Sequence, residues 1–333
     1  MSGARVVMTQ AGDGRALELL RRACAVTVGD PAAVPDAEAL LAFMPERVDA
    51  ALLDRCPRLR IVAGALKGAD NVDVPACTER GVWVTVVPDL LSQPTAELAL
   101  ALLLAAARRL REGDALVRSG GFDGWRPGLH GMQLAGTPAG VLGAGGVGGR
   151  VARMLAALGA DVAVHDPAAD PPEGVASLDL EPLLARSRAV VAALPLTART
   201  RGLLDAERLA LLPAGAVLVN VGRGSTVDEA AVAAALESGR LGAYAADVFA
   251  FEDLSLPDRP AGIDPALLRH PRTVFTPHVG SAVADVRARI EEHAARSILQ
   301  ALAGERPDGA INRPVAVQHL ESPGPAAPAW QRA

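Results

Sequence analysis

The sequence predicts an α/β protein made of two Rossmann-like, doubly wound parallel-sheet domains with a cleft between them. Three observations predict it. Short apolar runs alternate with helix-periodic segments through most of the chain. The 333 residues suit two domains at about 150 residues each. A glycine-rich turn, Gly143-Ala144-Gly145-Gly146-Val147-Gly148, follows an apolar run and opens a helical one.

In the first part, apolar strands are predicted at Arg5–Met8, Ala25–Val28, Leu40–Met44, Arg60–Leu66 and Val82–Val87, the last stopped by Pro88. Helices are predicted around Gly14–Ala23 and Asp49–Cys56. One long helix is expected from Pro94 to about Ser119, ended by Gly120, Gly121 and Gly124. Beyond it the alternation is regular. Strands fall at Ala139–Leu142, Asp161–His165, Ala189–Leu194, Ala216–Val221, Ala243–Val248 and Thr273–Thr276. Helices fill the gaps at Val147–Leu158, Leu178–Arg186, Ala206–Leu212 and Asp228–Ser238, and a final helix spans Ala282–Leu302. The Pro-, Ala- and Gly-rich residues 321–333 read as a mobile tail outside both domains.

Composition removes several function classes. With 50% hydrophobic and 21% charged residues the chain is not intrinsically disordered. Its 33 Gly and 25 Pro are scattered without a period, which excludes collagen-like repeats. Aromatic residues are 3% and the net charge is −5, so neither nucleic acid nor a membrane surface is an expected partner. Cys24, Cys56 and Cys77 match no metal-ligand spacing; they read as free thiols, and no metal is expected. The first residues show no signal peptide. The longest apolar run, Leu98–Ala107, is shorter than the about 20 residues a bilayer span needs. A cytoplasmic location is expected.

The glycine turn carries the first functional expectation. Gly143 permits the tight turn, Gly145 lets the backbone approach a pyrophosphate, and Gly148 allows close helix–strand packing. The helix N-terminus then offers free N–H groups to the anion. Asp166, 18 residues after Gly148, ends the next strand. A carboxylate there accepts from a ribose 2′-hydroxyl and repels a 2′-phosphate, which favours NAD over NADP. Three further polar residues follow strand ends, where ligands collect in open α/β sheets. Arg223 can grip an anion through two parallel bonds. Glu252 and His278 suit a carboxylate–imidazole pair, in which the carboxylate fixes the tautomer of an acid/base.

The string Leu218-Val219-Asn220-Val221-Gly222-Arg223-Gly224-Ser225-Thr226-Val227-Asp228-Glu229, with Leu194-Pro195-Leu196-Thr197 and Thr276-Pro277-His278, resembles the D-isomer-specific 2-hydroxyacid dehydrogenases. The resemblance implies Arg223 as substrate clamp, His278 as acid/base and Glu252 as its orienting partner. It implies a homodimer, an NAD-binding domain over 92–281, and a discontinuous substrate domain from 1–91 plus 282–320. It also implies cofactor contacts from Thr95, Gly145, Gly146, Val147, Asp166, Pro195, Val221, Arg223, Asp247 and His278.

Further stretches narrow the resemblance to a branch of the family that oxidises phosphite: residues 42–49, Ala65-Leu66-Lys67-Gly68-Ala69-Asp70-Asn71, 81–91, 242–249 and 275–283. Lys67 is the informative position, because other members usually have a small or apolar residue there. Phosphite is largely a dianion near neutrality, and a second cation beside Arg223 suits it. The resemblance implies substrate contacts from Lys67, Gly68, Met44, Arg223, His278, Ser281, Trp125 and Arg287, and hydride transfer from P–H to the nicotinamide with water as nucleophile. One departure is His130, where the resembled branch has tyrosine. Two alternatives stand beside this reading: a dehydrogenase of a small 2-hydroxy carboxylate, and a dinucleotide-sensing binding protein on the same fold.

Overall fold

The structure is a computed structural model that describes residues 3–44 and 46–314. The expected tail at 321–333 and the end of the expected substrate domain, 315–320, lie outside the described residues. The chain divides into two compact units. One takes in residues up to Val86 together with those from Glu291, and the other runs from Val87 to Ile290.

The first unit contains β1 (Arg5–Met8), α1 (Arg15–Arg21), β2 (Ala25–Val28), β3 (Ala39–Ala42), α2 (Ala50–Arg55), β4 (Ile61–Gly64), α3 (Val74–Glu79) and β5 (Trp83–Thr85). Its five strands are all parallel, in the order β2-β1-β3-β4-β5. The aliphatic side chains of β3 and β4 are wholly buried, as in a parallel strand covered on both faces. Asp49 and Asp73 cap α2 and α3 by accepting from the N–H groups of Leu52 and Ala76. The order reverses between β1 and β3, so the ligand crevice of this sheet opens at the loops after those strands.

The unit is completed by distant chain. Val86 N–H donates to Gly309 O at 3.0 Å and Ile311 N–H to Val84 O at 3.0 Å, while Asn312 Oδ1 accepts from Val84 N–H at 2.8 Å. Gly309 sits at φ 72°, and a Cβ there would lie 2.1 Å from Val86 O, so only glycine fits this approach.

The second unit starts with α4 (Ser92–Ala107) and α5 (Leu110–Arg118), then continues β6 (Pro138–Leu142), α6 (Gly146–Ala157), β7 (Asp161–His165), β8 (Ala176–Ser177), α7 (Leu180–Arg186), β9 (Ala189–Ala192), α8 (Ala206–Leu211), β10 (Ala216–Asn220), α9 (Glu229–Glu237), β11 (Leu241–Ala246), α10 (Pro265–Arg269) and β12 (Thr273–Phe275). The last helix, α11 (Ala284–Leu302), contains the boundary between the units. Seven parallel strands take the order β12-β11-β10-β9-β6-β7-β8. Alternate residues feed two cores. Leu142, Val190, Leu218 and Tyr244 point to one face, and Val141, Val191, Val219 and Ala245 to the other. The switch point lies between β6 and β9, beside the glycine-rich turn.

The single helix expected over Pro94–Ser119 is corrected. It is two helices, broken at Arg109, whose φ of 54° is left-handed. Nine residues of α4 are buried and none of α5, so the break falls where the chain leaves the core. A bidentate pair from Arg109 to Glu112, at 2.5 and 2.7 Å, holds the turn and keeps the Glu112 carboxyl below its usual range. Several expected strands also end early, at Ala42, Gly64, Thr85, Ala192 and Ala246. The apolar pattern continues past each end because the loops are themselves buried. All three cysteines are free, and burial pushes the Cys77 thiol up to about 12. No helix among the described residues is long and apolar enough to cross a membrane.

Candidate active site

The glycine-rich turn connects β6 to α6. Gly143 has φ 91°, and its N–H donates to His165 O at 2.8 Å. A Cβ on Gly148 would lie 1.8 Å from Gly143 O, so α6 touches the turn backbone to backbone. Gly145 is the N-cap of α6 and no side chain caps it; a Cβ there would meet nothing within 4 Å. Gly146 and Val147 form the first turn. The cradle is therefore open at Gly145 and presents an uncapped helix N-terminus, the shape and charge a pyrophosphate requires.

Asp166, one residue past β7, closes the other side. Its Oδ2 accepts from Ala144 N–H and its Oδ1 from Ala168 N–H, both at 2.8 Å. The carboxylate is held at the end of β7, and with the open cradle these residues fit a dinucleotide. His165 turns away, its Nδ1 2.9 Å from Leu178 O. Across the switch point, Pro195 O accepts from Thr200 Oγ1 at 2.6 Å. A Cβ on Gly222 would lie 2.4 Å from Leu194 O, so the loops after β9 and β10 run in contact. Val221 is buried, with its N–H on Ala192 O at 3.0 Å.

Arg223 follows in extended backbone. Its carbonyl accepts from Asn220 Nδ2 at 3.0 Å and Thr226 Oγ1 at 2.7 Å, and its own guanidinium donates to Gly222 O at 2.9 Å. Glu252 lies in a single 3-10 turn after β11. Its Oε2 is 2.7 Å from His278 Nδ1, and its Oε1 accepts from Phe249 N–H at 2.7 Å. Both carboxylate oxygens are committed, so the imidazole is held in one orientation with Nε2 as the other reactive atom.

His278 itself is left-handed, φ 54°, a backbone state that costs a non-glycine residue about 1 kcal/mol or more. Asp247 maintains it. The Asp247 carbonyl accepts from His278 N–H at 2.8 Å, and its carboxylate accepts from Thr276 Oγ1 at 2.6 Å and from the N–H groups of Val279 and Gly280 at 2.8 Å. Burial pushes the Asp247 carboxyl up, and these three donors oppose the shift. Thr95, near the start of α4, abuts the same turn: a Cβ on Gly280 would lie 3.0 Å from its Oγ1. Ser281 Oγ is 3.5 Å from an Arg287 guanidinium nitrogen.

Of the sequence-predicted residues, Thr95, Arg223, Asp247, Glu252, His278 and Ser281 thus occupy interlocking loops at the carboxyl ends of β10, β11 and β12 and the start of α4, and Arg287 reaches Ser281 from the first turn of α11. Trp125 does not join them; it stands 86% exposed in the loop between α5 and β6. Met44, Lys67 and Gly68 belong to the first unit, in the loops after β3 and β4. Asn71 Nδ2 ties those two loops, donating to Phe43 O at 3.4 Å and Glu46 O at 2.6 Å. The reading from sequence did not assign Asn71, nor Asn220 and Thr226, although the last two lie inside the signature string.

A model of the D-isomer specific 2-hydroxyacid dehydrogenase family, NAD binding domain, matches residues 100–280, more than half of the chain. The glyoxylate reductase of Aeropyrum pernix is 37% identical over 334 residues, covering 95% of this chain and 98% of that protein. The D-3-phosphoglycerate dehydrogenase of Mycobacterium tuberculosis is 41% identical over 285 residues, 84% of this chain and 52% of its own length. The chain therefore spans about half the length of the phosphoglycerate dehydrogenases it matches. The TT0316 protein of Thermus thermophilus superposes with a TM-score of 0.84 at 37% identity, covering 92% of this chain and all of that one. With the dinucleotide cradle, the carboxylate–imidazole pair and these relatives agreeing, the chain belongs to the D-isomer specific 2-hydroxyacid dehydrogenase family, and NAD is its cofactor.

Proposed function

We propose that the chain is a phosphite dehydrogenase, oxidising phosphite to phosphate with NAD. Lys67 carries this reading. Together with Arg223 it gives the chain one cation at strand carboxyl ends in each unit, two positive charges for a doubly charged substrate. The long sequence resemblance to the phosphite-oxidising branch supports the same choice.

The glycine-rich turn and Asp166 would hold NAD, which would supply the acceptor for the hydride that phosphorus loses. The chain's own residues do the rest. Arg223 and Lys67 grip the phosphite oxygens and orient the P–H bond. Glu252 holds His278 Nδ1, so Nε2 faces the substrate and takes a proton from the water that attacks phosphorus. The new P–O bond comes from that water, and its proton leaves through His278.

The comparisons favour a second reading, a dehydrogenase of a small 2-hydroxy carboxylate, since the relatives they name are glyoxylate reductases and phosphoglycerate dehydrogenases. With a 2-hydroxy acid, His278 Nε2 takes the hydroxyl proton directly and Arg223 holds the carboxylate. Purified protein mixed with NAD and phosphite, D-lactate or D-glycerate separates the two through NADH absorbance. A rise with phosphite matched by phosphate release is the expected result; a rise with the hydroxy acids alone assigns the second reading. In the first case Lys67→Ala is expected to raise KM for phosphite about tenfold or more, the loss of a charged hydrogen bond worth roughly 1.5–3 kcal/mol.

We further propose a homodimer. The helix α5 buries no residue within the chain, and Leu110, Leu116, Val117, Phe122 and Leu129 are all exposed along it and the loop that follows. Such a concentration of apolar side chains suits a second copy. Light scattering is expected to give twice the 34.2 kDa chain mass, and a Val117→Ser, Phe122→Ser double variant to give the single mass.

A further inference from the structure

Two turns carry the reactive groups of the second unit. One, Gly224–Thr226, follows Arg223; the other, Ala250–Glu252, precedes Asp253. They pack backbone against backbone, for a Cβ on Gly224 would lie 1.9 Å from Phe249 C and 2.1 Å from Ala250 N. Two buried carboxylates cross this contact in opposite directions. Asp253, 4% exposed, comes from the Glu252 turn, and its Oδ2 accepts from Ser225 N–H at 2.7 Å. Glu229, at the start of α9 just beyond the Arg223 turn, accepts from Ala250 N–H through Oε1 at 2.8 Å.

We propose that Asp253 and Glu229 are positioning residues, a reciprocal clasp that fixes the Arg223 turn against the turn holding the Glu252–His278 pair. Arg223 is rigid within its own turn through Asn220 and Thr226, and Glu252 within its own through Phe249 N–H. What neither turn fixes is its register against the other. A single clasp bond leaves a rotation about that bond, whereas two bonds in opposite directions remove it. The anion-gripping guanidinium and the proton-accepting imidazole are thereby held at one separation, and a displacement of about 1 Å at such a site costs on the order of 100-fold in rate. Each carboxylate stays buried because a backbone donor meets it, and burial pushes the Glu229 carboxyl up despite the Ala250 bond. The clasp takes its catalytic meaning from the oxidoreductase reading above.

The test compares Asp253→Ala with Asp253→Asn, whose amide oxygen still accepts from Ser225. Amide exchange is followed over residues 222–227 and 249–253, alongside kcat, KM and NAD affinity. In Asp253→Ala both segments are expected to exchange faster, and kcat to fall about tenfold or more, the cost of one buried hydrogen bond. NAD affinity is expected to stay within about twofold and Asp253→Asn to keep kcat within about threefold, since neither change touches the dinucleotide cradle. If Asp253→Ala does not fold, Ser225→Pro deletes the same bond from the donor side, in a 3-10 turn whose φ proline adopts. Faster exchange confined to the Arg223 turn overturns the clasp, and so does loosening of both turns with kcat unchanged. If the wild-type protein oxidises none of the substrates offered, the functional reading fails while exchange still decides the clasp: linked loosening of both turns supports it, and independent loosening overturns it.

Discussion

Replacing His278 by alanine is expected to lower turnover by about 10²–10⁴-fold, the range that a positioned general acid–base supplies. The expectation follows from commitment on both sides of the ring. Nδ1 is held by Glu252 at 2.7 Å, and the other Glu252 oxygen is held by Phe249 N–H, so no other group on this loop replaces the imidazole. The side chain is partly exposed, and its removal leaves the core intact. The backbone is the complication, because alanine tolerates φ 54° less well than histidine does. His278→Asn serves as the control, since asparagine adopts that conformation readily while it cannot take the proton. Both variants should lose turnover together, with NAD affinity, measured by calorimetry, falling far less than kcat. Retention of more than about a tenth of the wild-type kcat in either one removes His278 from the mechanism. Glu252→Gln should cost less, because the ring stays and loses only its charged partner.

Gly148→Ala carries the second large effect, on cofactor binding and stability together. The added Cβ would sit 1.8 Å from Gly143 O, and backbone cannot yield as a flexible side chain does. Either α6 moves off β6 or the turn opens. Overpacking of this kind costs about 1–3 kcal/mol, which lowers the melting temperature of a unit this size by roughly 2–10 °C. If the displaced atoms are the pyrophosphate cradle proposed here, NAD affinity should fall about 10–100-fold as well. Gly113→Ala is the matched control: it lies inside α5 with nothing within 4 Å of the new Cβ, and alanine there should be neutral or stabilising by about 0.5–1 kcal/mol. A Gly148→Ala protein that melts and binds NAD like wild type would show that the turn is not the cofactor's seat.

What sequence alone discloses here depends on how local the cause is. Strands β1 and β7 were legible to the residue because covered parallel strands are short apolar runs between polar ends, and β2 by its apolar composition although it is a largely exposed edge strand. The dinucleotide turn was legible because three glycines have separate steric duties at fixed spacing. The break at Arg109 was not, since an arginine in a left-handed state carries no mark of its own and is held there by Glu112. The short helices α3 and α10 escaped notice, although Asp73 and Asp264 cap them and each has proline in its first turn. Arg223, Glu252 and His278 could be picked out one by one from their places after apolar strands. Their mutual arrangement could not, because Asp247, Asp253 and Glu229 act across 21 to 33 positions of chain and read locally as ordinary loop or helix-start carboxylates.

The completion of the first unit by Asn312 and its neighbours has a consequence for how the chain is made. Synthesis runs from the N-terminus, and domains generally fold as they emerge. This one cannot finish in that order. When β5 leaves the ribosome, the residues that bond to Val84 and Val86 are still more than 200 positions from being translated. The contiguous unit from Val87 to Ile290 emerges whole in the meantime and has every strand of its sheet available. Until residues 309–312 arrive, β5 is a nascent edge of bare peptide groups, the kind of surface that pairs with other chains. Trp83 at its start and the short three-residue length limit that hazard. Chaperone dependence of the protein in cells should therefore track the interval before residues 309–312 appear, and be relieved in a permuted chain that places them ahead of Arg5.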